Sequence, residues 1–307
     1  MTIQLSWIGI DISKHYLDIF DDGYSLRLAN TAAGICDLLT RLAGRRVSIV
    51  FEATGAYDRA LRQVLSTAGI AFVRVNPRRA RAFAEAAGFL AKTDGVDARM
   101  LALMGQAMPA APAEAADPER QRLADLHKRR DQLVAMRKQE RTRLAEVVEG
   151  IRADLEAHIA WLSRAIAEIE GKCRALIKAS GELNRLDSLV RSLPGIGPVA
   201  ANSLIALLPE LGDRSPKTIA ALVGVAPFNV DSGKYRGKRR IRHGRHRVRD
   251  ALYMAAHAAA RYHPRFTAFY QSLRAAGKPH KLALIALARK LLVILNAIVR
   301  TQTPFHA

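Results

Sequence analysis

Up to about residue 108 the chain alternates short apolar runs rich in β-branched residues with segments whose apolar positions recur every three or four residues. The runs are Leu5 to Ile10, Tyr16 to Asp21, Ser25 to Ala29, Val47 to Phe51 and Ala71 to Val75. Their length and composition predict strands and the segments between them helices, so this block reads as an α/β layer on a mixed sheet. The first three runs are joined by short turns, one of them Asp22-Gly23, which predicts an antiparallel meander.

The texture then changes twice. A Pro/Ala stretch, MPAAPAEAADPE, reads as a linker. From Arg120 to about Lys178 the chain is charged and helical. Leu155, Ile159, Leu162, Ile166, Ile169, Cys173 and Leu176 alternate four- and three-residue steps, as a coiled-coil seam does. Leu144, Val148 and Ile151 extend the seam, but a repeated four-residue step and Gly150 interrupt it. Either one helix carries a stutter or two antiparallel helices turn near Gly150. A long helix covering the protein's own core is the plainer alternative to a self-association device. After Leu186 the segment Ser192 to Leu208, SLPGIGPVAANSLIALL, has the shape of a helix-hairpin-helix turn. In that turn Gly195 and Gly197 would bring backbone N–H groups close to a phosphate oxygen. An ordinary interhelical turn with Pro198 at the first helical position is the competing reading. The blocks divide the chain at 1–108, 109–185 and 186–307, giving an α/β plus α fold class.

Charge defines the partner. The 307 residues carry 48 Lys plus Arg against 28 Asp plus Glu, a formal net charge of +20, which predicts attraction to a polyanion, nucleic acid first. A membrane surface is the weaker alternative. The longest apolar stretch, Leu282 to Val299, is broken by Arg289 and Lys290 and reads as a buried amphipathic helix. The first residues lack the basic and apolar regions of a secretory signal. Cys36 and Cys173 have no neighbouring ligand at metal spacing, so neither a disulfide framework nor a structural zinc is expected, and the compartment reads as reducing cytoplasm.

The sharpest basic feature is DSGKYRGKRRIRHGRHRVRD. Lys234, Arg236, Lys238, Arg239, Arg240, Arg242, Arg245, Arg247 and Arg249 crowd together with no acid between Ser232 and Asp250, a self-repulsion that a phosphate backbone relieves. Further candidate backbone contacts are Arg78, Arg79 and Arg81, and the Lys128 to Arg130 cluster, each of which also suits a solvated helix face. Ser232 stands at the threshold of the run, and by itself a Ser-Gly pair in a loop reads as a turn. With 6% aromatic residues and no defensible recognition helix, a protein-only code for a DNA sequence is poorly supported.

Four acids stand apart in this basic chain. Asp11 and Glu52 close the first and fourth apolar runs, while Asp94 and Asp97 lie three residues apart at the start of a helical pattern. Singly each suits a cap or turn, and Asp94 could cap that helix. Together at one sheet edge they suit two divalent cations, and oxygen-only ligands favour Mg²⁺ or Mn²⁺.

These residues, read in order, resemble one family. GIDISK at 9–14, FEATG at 51–55, KTDGVDA at 92–98, LPGIGP and GVAPFNVDSGKYRGK are similar to the DEDD transposases of insertion-sequence family one hundred and ten, the bridge-RNA-guided recombinases. The resemblance runs over essentially the whole chain. It implies a domain like the junction resolvase RuvC, of ribonuclease H fold, over 1–108, linker and coiled-coil helices over 109–185, and a transposase domain over 186–307. It also implies Asp11, Glu52, Asp94 and Asp97 as metal ligands, Ser232 as nucleophile, donor and target duplex DNA, a noncoding guide RNA, and a dimer-to-tetramer synapse with composite sites in a prokaryotic cytoplasm. Two other classes compete: a metal-dependent junction endonuclease using water, and a non-enzymatic nucleic-acid-binding protein.

Overall fold

The five apolar runs of the first block form a single sheet in the computed structural model, which describes residues 5–89, 93–109, 117–229, 231–233, 235–237 and 239–306. The strands are β1 (Ser6–Ile12), β2 (Tyr16–Asp21), β3 (Tyr24–Ala29), β4 (Val47–Glu52) and β5 (Ala71–Val75), in the order β3-β2-β1-β4-β5. β1, β2 and β3 make the expected antiparallel meander, and β4 and β5 add parallel to β1. Asp22 and Gly23 both have positive φ, 44° and 92°, as a two-residue hairpin turn matching the sheet's twist requires.

Helices cover both faces of this sheet. On one face Ile8, Ile10, Ile49 and Phe51 pack with Ile35 and Leu38 of α1 (Ala32–Leu42) and with Leu61 and Leu65 of α2 (Arg59–Thr67). On the other, Val50 and Val73 meet Ala80 and Ala84 of α3 (Pro77–Ala86) and Met100, Leu101 and Met104 of α4 (Asp94–Ala107). β4 is apolar without alternation because both its faces are covered. Gly9 permits the close approach of α4: a Cβ there would lie 1.9 Å from the Ala98 carbonyl oxygen.

The chain divides into two compact units, Met1–Asp117 and Pro118–Ala307. The second opens with α5 (Pro118–Leu144) and α6 (Glu149–Ala179). Arg137 donates to Ser163 and Arg130 to Glu170, while His158 lies 3.5 Å from Glu140. Partner numbers that fall on one helix as they rise on the other mark an antiparallel pair, so of the two readings of the interrupted seam the hairpin is the one formed. The break lies just before Gly150, and Val148 and Ile151 are exposed there rather than in a seam. Leu133, Leu162 and Ile166 fill the hairpin, and Leu123, Cys173 and Ile177 join it to Leu183 of α7 (Gly181–Arg191) and Ile205 of α8 (Pro198–Leu207).

The remaining helices are α9 (Pro216–Val223), α10 (His246–Tyr262), α11 (Pro264–Ala275) and α12 (His280–Thr301). α12 is long and apolar enough to cross a membrane by length and composition, yet Leu287, Leu291, Leu292 and Leu295 make it the axis of the unit's largest core. Between α9 and α10, where the sequence predicts a loop, the chain folds into a nested ribbon. Pro227–Phe228 (β6) pairs with Arg240–Ile241 (β9), and further out Asp231–Ser232 (β7) pairs with Tyr235–Arg236 (β8). Strands of two residues in a Gly/Arg-rich run leave no alternation to read.

Candidate active site

The last paired residues of the parallel strands β1 and β4 are Ile10 and Phe51, so Asp11 and Glu52 follow side by side. Both share the strand parity of the α4-facing residues Gly9 and Val50. α4 begins at this end. Its cap is Thr93, whose hydroxyl accepts from the Val96 amide at 3.4 Å, not Asp94, which leaves Asp94 and Asp97 in the first turn. Lys92, also part of the quoted KTDGVDA motif, lies outside the described residues.

The acids sense one another. The Asp11 carboxyl is pushed up to about 6, first by burial, then by the neighbouring charges of Asp97 and Asp94 and more weakly Asp18, against a lowering hydrogen bond from the Ile12 backbone. Crowded, half-desolvated carboxylates hold protons because their negative charge lacks compensation. Such a cluster favours a hard cation, and its all-oxygen donors fit Mg²⁺ or Mn²⁺ in kind.

Two residues absent from the sequence reading complete the arrangement. Asp18 stands opposite Asp11 on β2 and is nearly buried, and Arg27 stands opposite Asp18 on β3. Arg27 donates to Asp18 at 2.7 Å through Nε and to Asp94 at 2.9 Å through a terminal nitrogen. The signal was present: the Asp22-Gly23 turn fixes the pairing of Asp18 with Arg27. In this conformation no three His, Cys, Asp or Glu side chains among the described residues form a ready chelating group. Asp94 is paired through one carboxylate oxygen with the Arg27 guanidinium.

In the second unit Ser232 is exposed at the outer end of the nested ribbon, followed by Gly233 at φ 55°. Asp231 and Arg236 face each other in register and form an ion pair at 3.5 Å. The basic run separates into two sets. Arg236, Arg239, Arg240 and Arg242 are exposed. Arg245 instead grips Glu210 with two bonds of 2.5 and 2.6 Å, Arg247 binds Asp131 at 2.6 Å, and Arg249 donates to the His243 carbonyl at 2.7 Å. These three fasten the ribbon's base to the unit, whereas the first four are open to solvent. Lys234 and Lys238 lie outside the described residues. Of the other basic groups, Arg78 and Arg79 are exposed on α3, Arg81 pairs with Glu85 at 3.0 Å, and Arg130 is held by Glu170 at 2.7 Å.

The two glycines of the LPGIGP turn have different duties. Gly195 has φ 94° and a Cβ there would lie 2.5 Å from the Ala255 carbonyl oxygen, so it serves packing against α10. Gly197 is the N-cap of α8, exposed, with open space where a Cβ would stand, and Pro198 follows at the first helical position.

Comparison with known proteins gives this arrangement its class. A DEDD model described as "Transposase" matches residues 8–153, which contain all four predicted acids, and a second, "Transposase IS116/IS110/IS902 family", matches residues 187–271, which contain Ser232 and the basic run. These matches define the class as a transposase, an enzyme acting on DNA. The chain belongs to the IS110 family of insertion-element transposases. It is similar to the pilin gene-inverting proteins of Moraxella lacunata and Moraxella bovis, each 29% identical over 317 residues, 98% of this chain and 97% of theirs. It is also similar to the insertion element IS900 uncharacterized 42 kDa protein of Mycobacterium paratuberculosis, 32% identical over 142 residues, 44% of this chain and 35% of that one.

Proposed function

We propose that this transposase is an RNA-guided recombinase of its insertion sequence, acting in the prokaryotic cytoplasm on donor and target DNA through a phosphoserine intermediate. The observation that carries the reading is the coupling of Asp11 with Asp94 and Asp97 beside Glu52 at one sheet edge. The strand order β3-β2-β1-β4-β5, with acids on β1, β4 and α4, supports a RuvC-like domain of ribonuclease H fold. Asp11, Glu52, Asp94 and Asp97 would hold Mg²⁺ or Mn²⁺, which when bound supplies charge neutralisation at the scissile phosphate.

Ser232 is presented for attack by its exposed ribbon end. Its Oγ forms a bond to phosphorus as the bond to one strand's oxygen breaks; the serine proton passes to a base and the departing oxygen takes one up. The resulting ester retains the energy for rejoining, so exchange needs no nucleotide triphosphate. Exposed Arg236, Arg239, Arg240 and Arg242 offset the phosphate charge, and the α8 N-terminus at Gly197 offers backbone N–H groups to the strand. Base pairing by a guide RNA supplies the sequence specificity that a protein poor in aromatics lacks, and the helical hairpin suits assembly of a dimer-to-tetramer synapse.

A junction endonuclease using water is the second reading, favoured by an Asp11 carboxyl pushed up to about 6, closer to the range that suits proton transfer. The experiment that separates the two incubates labelled DNA, guide RNA and Mg²⁺ with wild type, Asp11→Ala and Ser232→Ala. The serine reading expects a covalent DNA–protein adduct at Ser232 in wild type and loss of recombination in both variants, with RNA binding intact. Recombination by Ser232→Ala at the wild-type rate would refute it.

A further inference from the structure

A cavity of about 630 Å³ opens on the C-terminal unit between the β6–β9 ribbon and the start of α12. Val225, Ile241, Leu282 and Ile285 give it an apolar floor, while Arg239, Arg240, Lys278, Lys281 and Arg289 line it with positive charge and no acid lines it. Lys281, Ile285 and Arg289 recur every four residues, so one face of α12 presents cation, apolar side chain and cation in a row.

These cations differ from others in the same unit. Arg245 and Arg247 rest on carboxylates, Lys290 sits 4.0 Å above the Phe269 ring, and Arg300 donates to the Gly212 carbonyl at 2.9 Å. Among the described residues, none of the five cavity cations forms an ion pair with an acid. Like charges around a low-dielectric floor focus a positive potential into the cavity. A ligand that relieves it needs negative charge beside an apolar face. A duplex keeps its bases stacked inside and offers the cavity only its backbone; an unpaired nucleotide offers base and phosphate together.

We infer that this cavity holds an unpaired nucleotide of single-stranded nucleic acid, its base on the apolar floor and its flanking phosphates on the cations of β9 and α12. The inference rests on the nucleic-acid reading of the basic ribbon and extends it to Lys278, Lys281 and Arg289, which lie outside that run. DNA and RNA strands share this chemistry.

The test measures binding of short labelled single-stranded DNA, single-stranded RNA and duplex DNA to the full-length chain by fluorescence anisotropy over a salt series. Lys281→Gln with Arg289→Gln removes two phosphate contacts. For the strand that occupies the cavity, the double variant is expected to weaken affinity about tenfold and lower the salt slope by about 1.4, or roughly 0.7 per contact. Duplex affinity is expected to stay unchanged, and Lys281→Arg to retain single-strand binding. A 5-iodouracil strand is expected to crosslink to the peptide containing Leu282 and Ile285. Unchanged single-strand affinity and slope in the double variant, or crosslinks confined to other peptides, would overturn the inference. If duplex binds normally while the double variant leaves single strands unaffected, the cavity assignment alone fails; if the wild-type chain binds neither form, the nucleic-acid reading beneath it fails too.

Discussion

Asp11 is held in the folded state as an acid stronger in its grip on the proton than the same residue in an unfolded chain, where the carboxyl titrates near 3.8 rather than about 6. Between those values the folded protein binds more protons, so this residue's contribution to stability falls as pH rises through the window and its cost is complete above it. Asp11→Asn is therefore expected to stabilise the fold at pH 7.5 by on the order of 1–2 kcal/mol, after allowance for partial exposure, and to lose that advantage below about pH 4. Denaturant unfolding at the two pH values checks this. Arg27 has the opposite relation to its neighbours. Truncating it leaves the nearly buried Asp18 without its guanidinium, and Arg27→Ala is expected to lower stability in the same assay. Arg27→Lys is expected to recover only part, because an ammonium cannot span Asp18 and Asp94 as the planar fork does.

At the scale of elements, glycines decide what can approach what. Gly9→Ala would drive a methyl into the Ala98 carbonyl and the Ala102 amide of α4, so it is expected to destabilise by about 3 kcal/mol or more and shift the acids on that helix. Gly195→Ala should unfold through its contact with α10. Gly197→Ala should cost less than about 1 kcal/mol, since the space is open and φ is −86°. Loss of DNA affinity in a folded Gly197→Ala, measured by anisotropy, would support phosphate contact at the α8 N-terminus; unchanged affinity would leave LPGIGP as an interhelical turn. The strands were legible because β-branched runs between turn residues leave little alternative, and the acids stood out because Asp and Glu are sparse in so basic a chain. Asp18 and Arg27 were not read, since their importance lies in cross-strand register, a property of two turns rather than one run. The inward arginines were hidden for a similar reason: Arg245 and Arg247 look like their neighbours until Glu210 and Asp131, distant in sequence, arrive beside them.

Across the whole molecule, an excess of 48 basic over 28 acidic residues makes binding a matter of ion release. If exposed basic groups other than Lys281 and Arg289 meet six to ten phosphates, duplex affinity is expected to fall by about 10³ to 10⁵ between 50 and 200 mM salt, a steepness that titration at several salt concentrations would reveal. Positive charge alone makes a binder; the acids of the N-terminal unit are what would make an enzyme of it. The most direct measurement is titration of the full-length chain with Mn²⁺, following bound ion by electron paramagnetic resonance in wild type, Asp11→Asn and Asp97→Asn. Saturable binding in wild type that disappears in both variants is the expected result. Absence of binding in wild type in the presence of DNA, or binding indifferent to both substitutions, would contradict the assignment of these acids as the ion-holding centre.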